Sequence, residues 1–367
     1  MKRKAAIFPY NAECAPIIKN KELLTMHNIV ACISPCGYGF KGRDVAYAYG
    51  GMEEEIIVSD KHLSEIDFED LLICESKSDF DTILMPYIEE AANLGKNVYF
   101  LYDLDGIHKQ KIENIFRDRE NKCVILAHRD IDVSTLVVDE NEIIPMSVPV
   151  IFVAGVITNV NKFDVQLGLR AYLIDNGYKV SQIGSKKYCE FFGFHSIPDF
   201  MFNRDLTEKQ KIIWFNRLCK SIELSESPDV FVIGIPGATM VYNDQFTNDF
   251  GITAYEISNS VRSDATIICV PYESYDSKFL QMIKESSKFK YDMQVDCFNM
   301  SNKQFDAARS KGEKQLTFIT VDSGLVDGRI AELNEESSIP VYNSFNSKSA
   351  MEMYKFIIDK LTDDCDV

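Results

Sequence analysis

The sequence is poor in the features that mark several function classes. No apolar run approaches the ~20 residues that a membrane-spanning helix needs. The start, MKRKAAIFPYNAE, turns apolar only briefly, because Pro9 and Glu13 interrupt it before a signal-peptide core forms. A soluble, cytoplasmic protein is expected. Basic residues are scarce: 39 Lys and Arg stand against 56 Asp and Glu, a formal net charge of −17. Binding to a phosphate backbone needs clustered Lys and Arg, so nucleic-acid partners are not expected. The five histidines are scattered, and no CxxC occurs among the ten cysteines; Cys32 and Cys36 are the one close pair. A metal centre would want closer, paired spacing, and none is expected. Cys74, Cys123 and Cys269 sit in or beside apolar runs, as reduced core thiols do.

What is present is an α/β rhythm. The 367 residues, 46% of them hydrophobic, suffice for two domains with ordinary cores. KAAIF, NIVACIS, EIIVSD, TILMPY, NVYFLYD and CVILAH read as strands, and segments such as YIEEAANLGK carry helical spacing between them. Near 131–148 the pattern changes to the helix-free stretch VSTLVVDENEIIPMSVP, read as a connector with a boundary at about 147. A second series follows: PVIFVAG, a helix over 162–176, YKVSQIG, PDVFVIG, ATIICVPY, QVDCFNM, QLTFITVD, SIPVYN and the closing helix SKSAMEMYKFIIDKL. The expected architecture is α/β in two domains. Residues 1–147 form a Rossmann-like domain and 148–367 a doubly wound domain with a degenerate phosphate loop (P-loop).

The stretch GVITNVNKFD (155–164) carries the sharpest chemical signal. Asn161-Lys162-Phe163-Asp164 spells NKxD, a guanine-recognition motif, but no earlier GxxxxGK[ST] precedes it to hold phosphates. The other reading is a phosphate loop. A buried strand delivers the chain to a tight loop, and a helix starts at once, so loop amides and the helix N-terminus converge on an anion. VPVIFVAG, VITNVN and KFDVQLGLRAYLIDNG supply these three parts in order. Gly155, Thr158, Asn159, Val160, Asn161, Lys162 and Phe163 are therefore the candidate phosphate-binding residues. ATP or another phosphate-bearing compound is the candidate ligand.

The loop resembles that of dethiobiotin synthetase and its relatives, GTxTxVGKT, with Gly155, Thr158, Val160 and Lys162 matching at the same spacing. Three departures stand beside the matches. Asn161 replaces the glycine before the lysine, a position that often needs positive φ, which Asn tolerates best after Gly. Phe163 replaces the hydroxyl residue that ligates Mg²⁺. Gly234 stands where the later strand offers an acid. Over nearly its full length the chain is similar to a peptide-maturation family encoded beside bacteriocin-like precursors and radical-SAM enzymes in clostridia. That resemblance rests on VPVIFVAGVITNVNKFDVQLGLR, GYKVSQIGSKKYCEFFGFHSIPDF and SGLVDGRIAELNEESSIPVYN. It implies a precursor peptide or a radical-SAM modifying enzyme as partner.

Three further stretches are candidates. CGYGFKG holds Gly37, Gly39 and Gly42 in a GxGxxG spacing, with Asp60 about 20 residues on, as in a dinucleotide site; the following helix, RDVAYAY, is cut short by Gly50-Gly51, which favours a plain glycine-rich turn. CEFFGFHSIPDFMFNRD (189–205) crowds five phenylalanines with His195, Asp199, Arg204 and Asp205, and follows Ser185, Lys186 and Lys187. It reads equally as an aromatic binding floor for a peptide or as an inter-domain packing plug. GIPGATMVYNDQFTNDFG (234–251) follows its strand with a Gly-Pro-Gly turn, which makes Gly237, Thr239 and Asn243 candidates by position. The leading expectation is an accessory protein of ribosomal-peptide maturation. The rival is a nucleotide-dependent ligase or acyl-transfer enzyme acting on an amino-acid or peptide carboxylate, with metal ligands drawn from Asp164 or Asp199. Whether the protein is an enzyme at all is left open by the sequence.

Overall fold

In the computed structural model of the chain, residues 2–35, 37–51, 53–126 and 142–365 are described. They form two compact units, one of residues 2–126 with 187–193, the other of 142–186 with 194–365.

The first unit is a parallel sheet of β1 (Arg3–Phe8), β2 (His27–Cys32), β3 (Asp70–Ile73), β4 (Asn97–Phe100) and β5 (Cys123–Ile125), in the order β2-β1-β3-β4-β5. This is a doubly wound order. Its helices are α1 (Ala15–Lys19), α2 (Met85–Asn93) and α3 (Gly106–Phe116), the last begun by Asp105, whose carboxylate accepts from the His108 amide at 2.9 Å. Ala6, Phe8, Leu71, Ile73, Val98 and Phe100 pack one face of the sheet into a core with α2 and α3.

A polar clamp joins the starts of four strands. Asp70, fully buried, accepts from Arg3 at 2.6 and 2.7 Å and from Asn97 at 2.8 Å, and lies 3.1 Å from His27 Nε2. These four are the first residues of β3, β1, β4 and β2. Burial pushes the Asp70 carboxyl up, but the bonds from His27, Arg3 and Asn97 outweigh it and hold the group well below the usual carboxylate range. Phe191 lies on the same cluster, its ring 4.7 Å from that of His27, and its carbonyl accepts from the Thr25 amide at 2.7 Å.

The second unit holds seven parallel strands: β6 (Val150–Gly155), β7 (Val180–Gly184), β8 (His195–Ser196), β9 (Val230–Gly234), β10 (Ala265–Val270), β11 (Cys297–Met300) and, after the small antiparallel pair β12 (Lys303–Phe305) and β13 (Phe318–Thr320), β14 (Val341–Tyr342). The order is β14-β11-β10-β6-β9-β7-β8. Every residue of β6, β9 and β10 is buried, as expected of parallel strands covered on both faces. The covering helices are α4 (Lys162–Asp175), α5 (Glu208–Glu226), α6 (Ile252–Ser260), α7 (Ser277–Tyr291), α8 (Ala307–Glu313), α9 (Ser323–Glu336) and α10 (Ser347–Cys365). Thr207 and Gln210 start α5 with a reciprocal capping box.

The α/β, parallel-sheet, two-unit architecture is thus the one expected. The division of the chain differs from a single cut near 147 at two places. The described end of the connector, 142–148, is bound by α5. Asn216 takes both the amide (3.0 Å) and the carbonyl (2.8 Å) of Ile144, and Glu223 accepts from the amides of Ser147 (2.5 Å) and Val148 (3.1 Å). Residues 187–193 belong to the first unit, where Lys187 pairs with Asp103 and Phe191 joins the Asp70 clamp. The part of the expected connector up to residue 141 lies outside the described residues, as does Cys36. Cys32, Cys74 and Cys269 are free and buried, and burial pushes their thiols up; Cys123 is half-buried.

Candidate functional site

The strand, loop and helix of the phosphate-loop reading are all present. β6 ends at Gly155, residues 156–161 form the loop, and α4 begins at Lys162. Asn161 is left-handed at φ 57°, the conformation for which Asn substitutes for Gly, and Asn159 adopts the same φ. Asn161 Nδ2 donates to Asn302 Oδ1 (3.0 Å), in the loop after β11. Val160 is part of the hydrophobic core, whereas Thr158 is half-buried and Asn159 exposed. The loop is anchored to the neighbouring strand's exit by the Thr239 amide, which donates to the Gly155 carbonyl at 2.9 Å.

Lys162 is the charged centre. It is only 8% exposed, and its Nζ donates to the carbonyl of Gly237. Burial lowers its pKa from 10.5 to about 8, with Lys186 adding to the effect. The ammonium is therefore held in place at neutral pH but at an energetic cost.

The metal half of a nucleotide site does not fit these residues. Phe163 is buried, its ring 6.2 Å from that of Phe194, and offers no oxygen. Gly234 ends β9 and pairs in register with Val153 of β6, so it stands beside the loop strand. A Cβ there would lie 1.9 Å from Gln166 Oε1. The carboxamide of Gln166, from the second turn of α4, fills the space that a side chain at 234 would occupy. A neutral amide thus replaces a carboxylate. Gln166 is fully buried, its Nε2 lies 3.5 Å from Ser185 Oγ, and its Oε1 has no hydrogen-bond partner among the described residues. Gln182 on β7 is likewise buried, and neither atom of its amide has a hydrogen-bond partner among the described residues. Among the described residues no three His, Cys, Asp or Glu side chains gather to hold a metal; Asp164 is buried in the first turn of α4 and Asp199 is exposed.

The remaining candidates separate. Ser185 lies with the loop through Gln166, Lys186 and Gly237 through Lys162, and Thr239 through Gly155. Asn243 instead builds a turn, accepting from the amides of Gln245 (3.0 Å) and Phe246 (2.9 Å). His195 sits on β8, its Nε2 2.6 Å from Glu226 Oε1 at the end of α5, and Ser181 also donates to Glu226. Burial pushes Glu226 up, but bonds from Ser181 and His195 bring it below its usual range. Arg204 and Asp205 are exposed. The Phe-rich stretch is divided: Phe191 and Phe192 are buried in the first unit, and Phe194 in the second.

In the first unit, Gly37, Gly39 and Gly42 all have positive φ, of 97°, 75° and 73°. Their loop follows the edge strand β2 and leads to a short 3-10 turn, Val45–Ala48, rather than an α-helix. A dinucleotide site needs a helix N-terminus behind its glycines, so of the two readings the glycine-rich turn is the one these residues fit. Asp60 pairs with Lys41 at the rim of an open groove of about 790 Å³. Sequence reasoning missed Gln166, Gln182 and Asn302. The only available signal was a polar residue on the otherwise apolar face of α4, one turn after Lys162.

No helix among the described residues is long and apolar enough to cross a membrane. The sequence matches no protein-family model and no curated protein. Among solved structures, a DUF1611 family protein of Anabaena variabilis aligns over 98% of this chain and 100% of its own, with a TM-score of 0.63 at 9% identity. A cobyrinic acid a,c-diamide synthase of Mycobacterium smegmatis, with bound ADP and magnesium, covers 57% of this chain and 93% of its own (TM-score 0.33, 11% identity). A GTPase of Pyrococcus abyssi in apo form covers 46% and 71% (TM-score 0.26, 15% identity). The chain thus shares the two-unit α/β fold of the DUF1611 family protein, and the likeness extends to fold alone.

Proposed function

We propose that the second unit keeps its phosphate loop as a metal-free anion-binding element, within a cytoplasmic accessory protein of ribosomal-peptide maturation. The observation that carries the first part is the Gln166 carboxamide packed on Gly234. It removes the acid that would hold a metal, while Lys162 and the loop amides keep the means to hold an anion. Phosphoryl transfer relies on metal-borne charge neutralisation, so the arrangement favours binding over turnover. The second part, a precursor peptide or its modifying enzyme as partner, is supported by the full-length resemblance on the three stretches quoted above.

Titration calorimetry with inorganic phosphate, ADP and ATP, each with and without Mg²⁺, tests the site in wild type and Lys162→Ala. Anion binding that is indifferent to Mg²⁺ and lost in the variant is expected. Mg²⁺-dependent ATP turnover lost in Lys162→Ala would refute this reading and establish the ligase or acyl-transfer alternative. Pull-down with precursor peptide and modifying enzyme tests the partner, and binding to neither would exclude the maturation role.

A further inference from the structure

Four consecutive residues before α6 lie in the left-handed region: Asn248 (φ 50°), Asp249 (48°), Phe250 (56°) and Gly251 (74°). Isolated left-handed residues are ordinary for Gly, Asn and Asp, but a run of four that includes Phe is strained. Phe250 is 58% exposed, so packing does not reward its conformation. Such geometry persists only where the surroundings impose it.

Here the surroundings are identifiable. Asn248 Nδ2 donates to the Met240 carbonyl (3.0 Å), and Lys290 Nζ to the Phe250 carbonyl (2.8 Å). Tyr291 donates its hydroxyl to the Thr239 carbonyl, with the Gly251 carbonyl at 3.4 Å. Gly251 is required twice over, by its φ and because a Cβ would lie 2.1 Å from the Tyr291 hydroxyl. The other end of the same segment is fastened to the phosphate loop, through Lys162 to the Gly237 carbonyl and through Thr239 to Gly155. The strained turn and the candidate anion site are thus two ends of one segment.

We propose that residues 237–251 form a latch, held closed by Lys162 and released when an anion in the phosphate loop draws the Lys162 ammonium away from the Gly237 carbonyl. This rests on the anion-site reading above. An anion adds charge–charge attraction to the ammonium that a neutral carbonyl cannot supply, so it outcompetes the Gly237 carbonyl for Lys162. Once that fastening is lost, the Thr239–Gly155 bond alone ties the segment to the loop. The bonds from Asn248, Lys290 and Tyr291 then carry the strain of the left-handed turn with less support, and the turn opens more often, moving the exposed Val241 and Phe250 with it. The device converts occupancy of the loop into a change on the surface next to α6.

Hydrogen–deuterium exchange over 238–252 tests this in the full chain. Inorganic phosphate at saturation is expected to speed exchange there about tenfold or more, and Lys162→Met to do so without phosphate. Phe250→Asn, which suits left-handed backbone, is expected to slow it. Phosphate uptake with unchanged exchange would overturn the latch, as would faster exchange in Phe250→Asn. If the wild type takes up no phosphate, the anion-site reading falls and the trigger with it. Unchanged exchange in Lys162→Met would then overturn the fastening as well.

Discussion

Lys162 is a residue whose burial the fold tolerates at a cost. Its pKa of about 8 in the folded chain lies below the ordinary 10.5. Between those values the unfolded chain binds a proton that the folded chain does not, so stability rises as pH increases from about 8 to 10.5. Below about 8 the cost is present in full. Lys162→Met is therefore expected to raise global stability at pH 7 by on the order of 1–3 kcal/mol while abolishing anion binding, measured by urea denaturation and calorimetry. Anion affinity in the wild type should weaken as pH rises above about 8, because the ammonium loses its charge. A second residue-scale prediction concerns Gly234. Adding a Cβ there meets Gln166, so Gly234→Ala should cost about 1–3 kcal/mol. In Gln166→Ala the same change should be nearly free, and an equal penalty in both backgrounds would show that the two sites are not in contact.

At the scale of elements, the Asp70 clamp binds the starts of four strands through one carboxylate. Asp70→Asn removes the charge opposite Arg3 and replaces one of the two accepting oxygens with an NH2 donor that faces Arg3 or His27, and is expected to cost about 3 kcal/mol at pH 7. Because its folded pKa is depressed, the stabilisation is complete above the unfolded carboxyl pKa of about 4 and is lost as pH falls below it. The penalty of Asp70→Asn should therefore shrink when denaturation is repeated in acid. Phe191 seals this cluster from outside its own stretch of sequence, and Phe191→Ala should lose about 3–5 kcal/mol, read on the first unit by hydrogen exchange.

At the scale of the whole molecule, ligand linkage should be local. Phosphate at a hundredfold excess over its Kd is expected to stabilise the second unit by about 2.7 kcal/mol, with amide protection in the cores of the first unit unchanged. In the first unit TILMPY (82–87) is helical, EIIVSD (55–60) makes only isolated bridges and β3 falls on the unforeseen Asp70–Ile73, because short apolar runs suit a buried helix as well as a strand. The α/β class, the longer strands of the second unit, and the strand, loop and helix of 150–175 were legible in the sequence alone. Each depends on hydrophobic periodicity or on neighbours within a few residues, as with left-handed Asn161 before Lys162. The order of strands was not legible, and the site's character depends on it. That order sets Gly234 beside the loop strand, lets Gln166 take the place of a metal-binding acid, and brings Asn302 to Asn161 across 141 residues of chain. It also leaves the glycines at 37–42 behind an edge strand, pairs His195 with Glu226, and delivers 187–193 to the first unit. Local pattern thus specified the α/β alternation and most elements of the second unit, because backbone hydrogen bonding and side-chain periodicity act over short distances. Only the tertiary structure decided which side chains share a buried space, because that depends on packing between segments far apart in the chain.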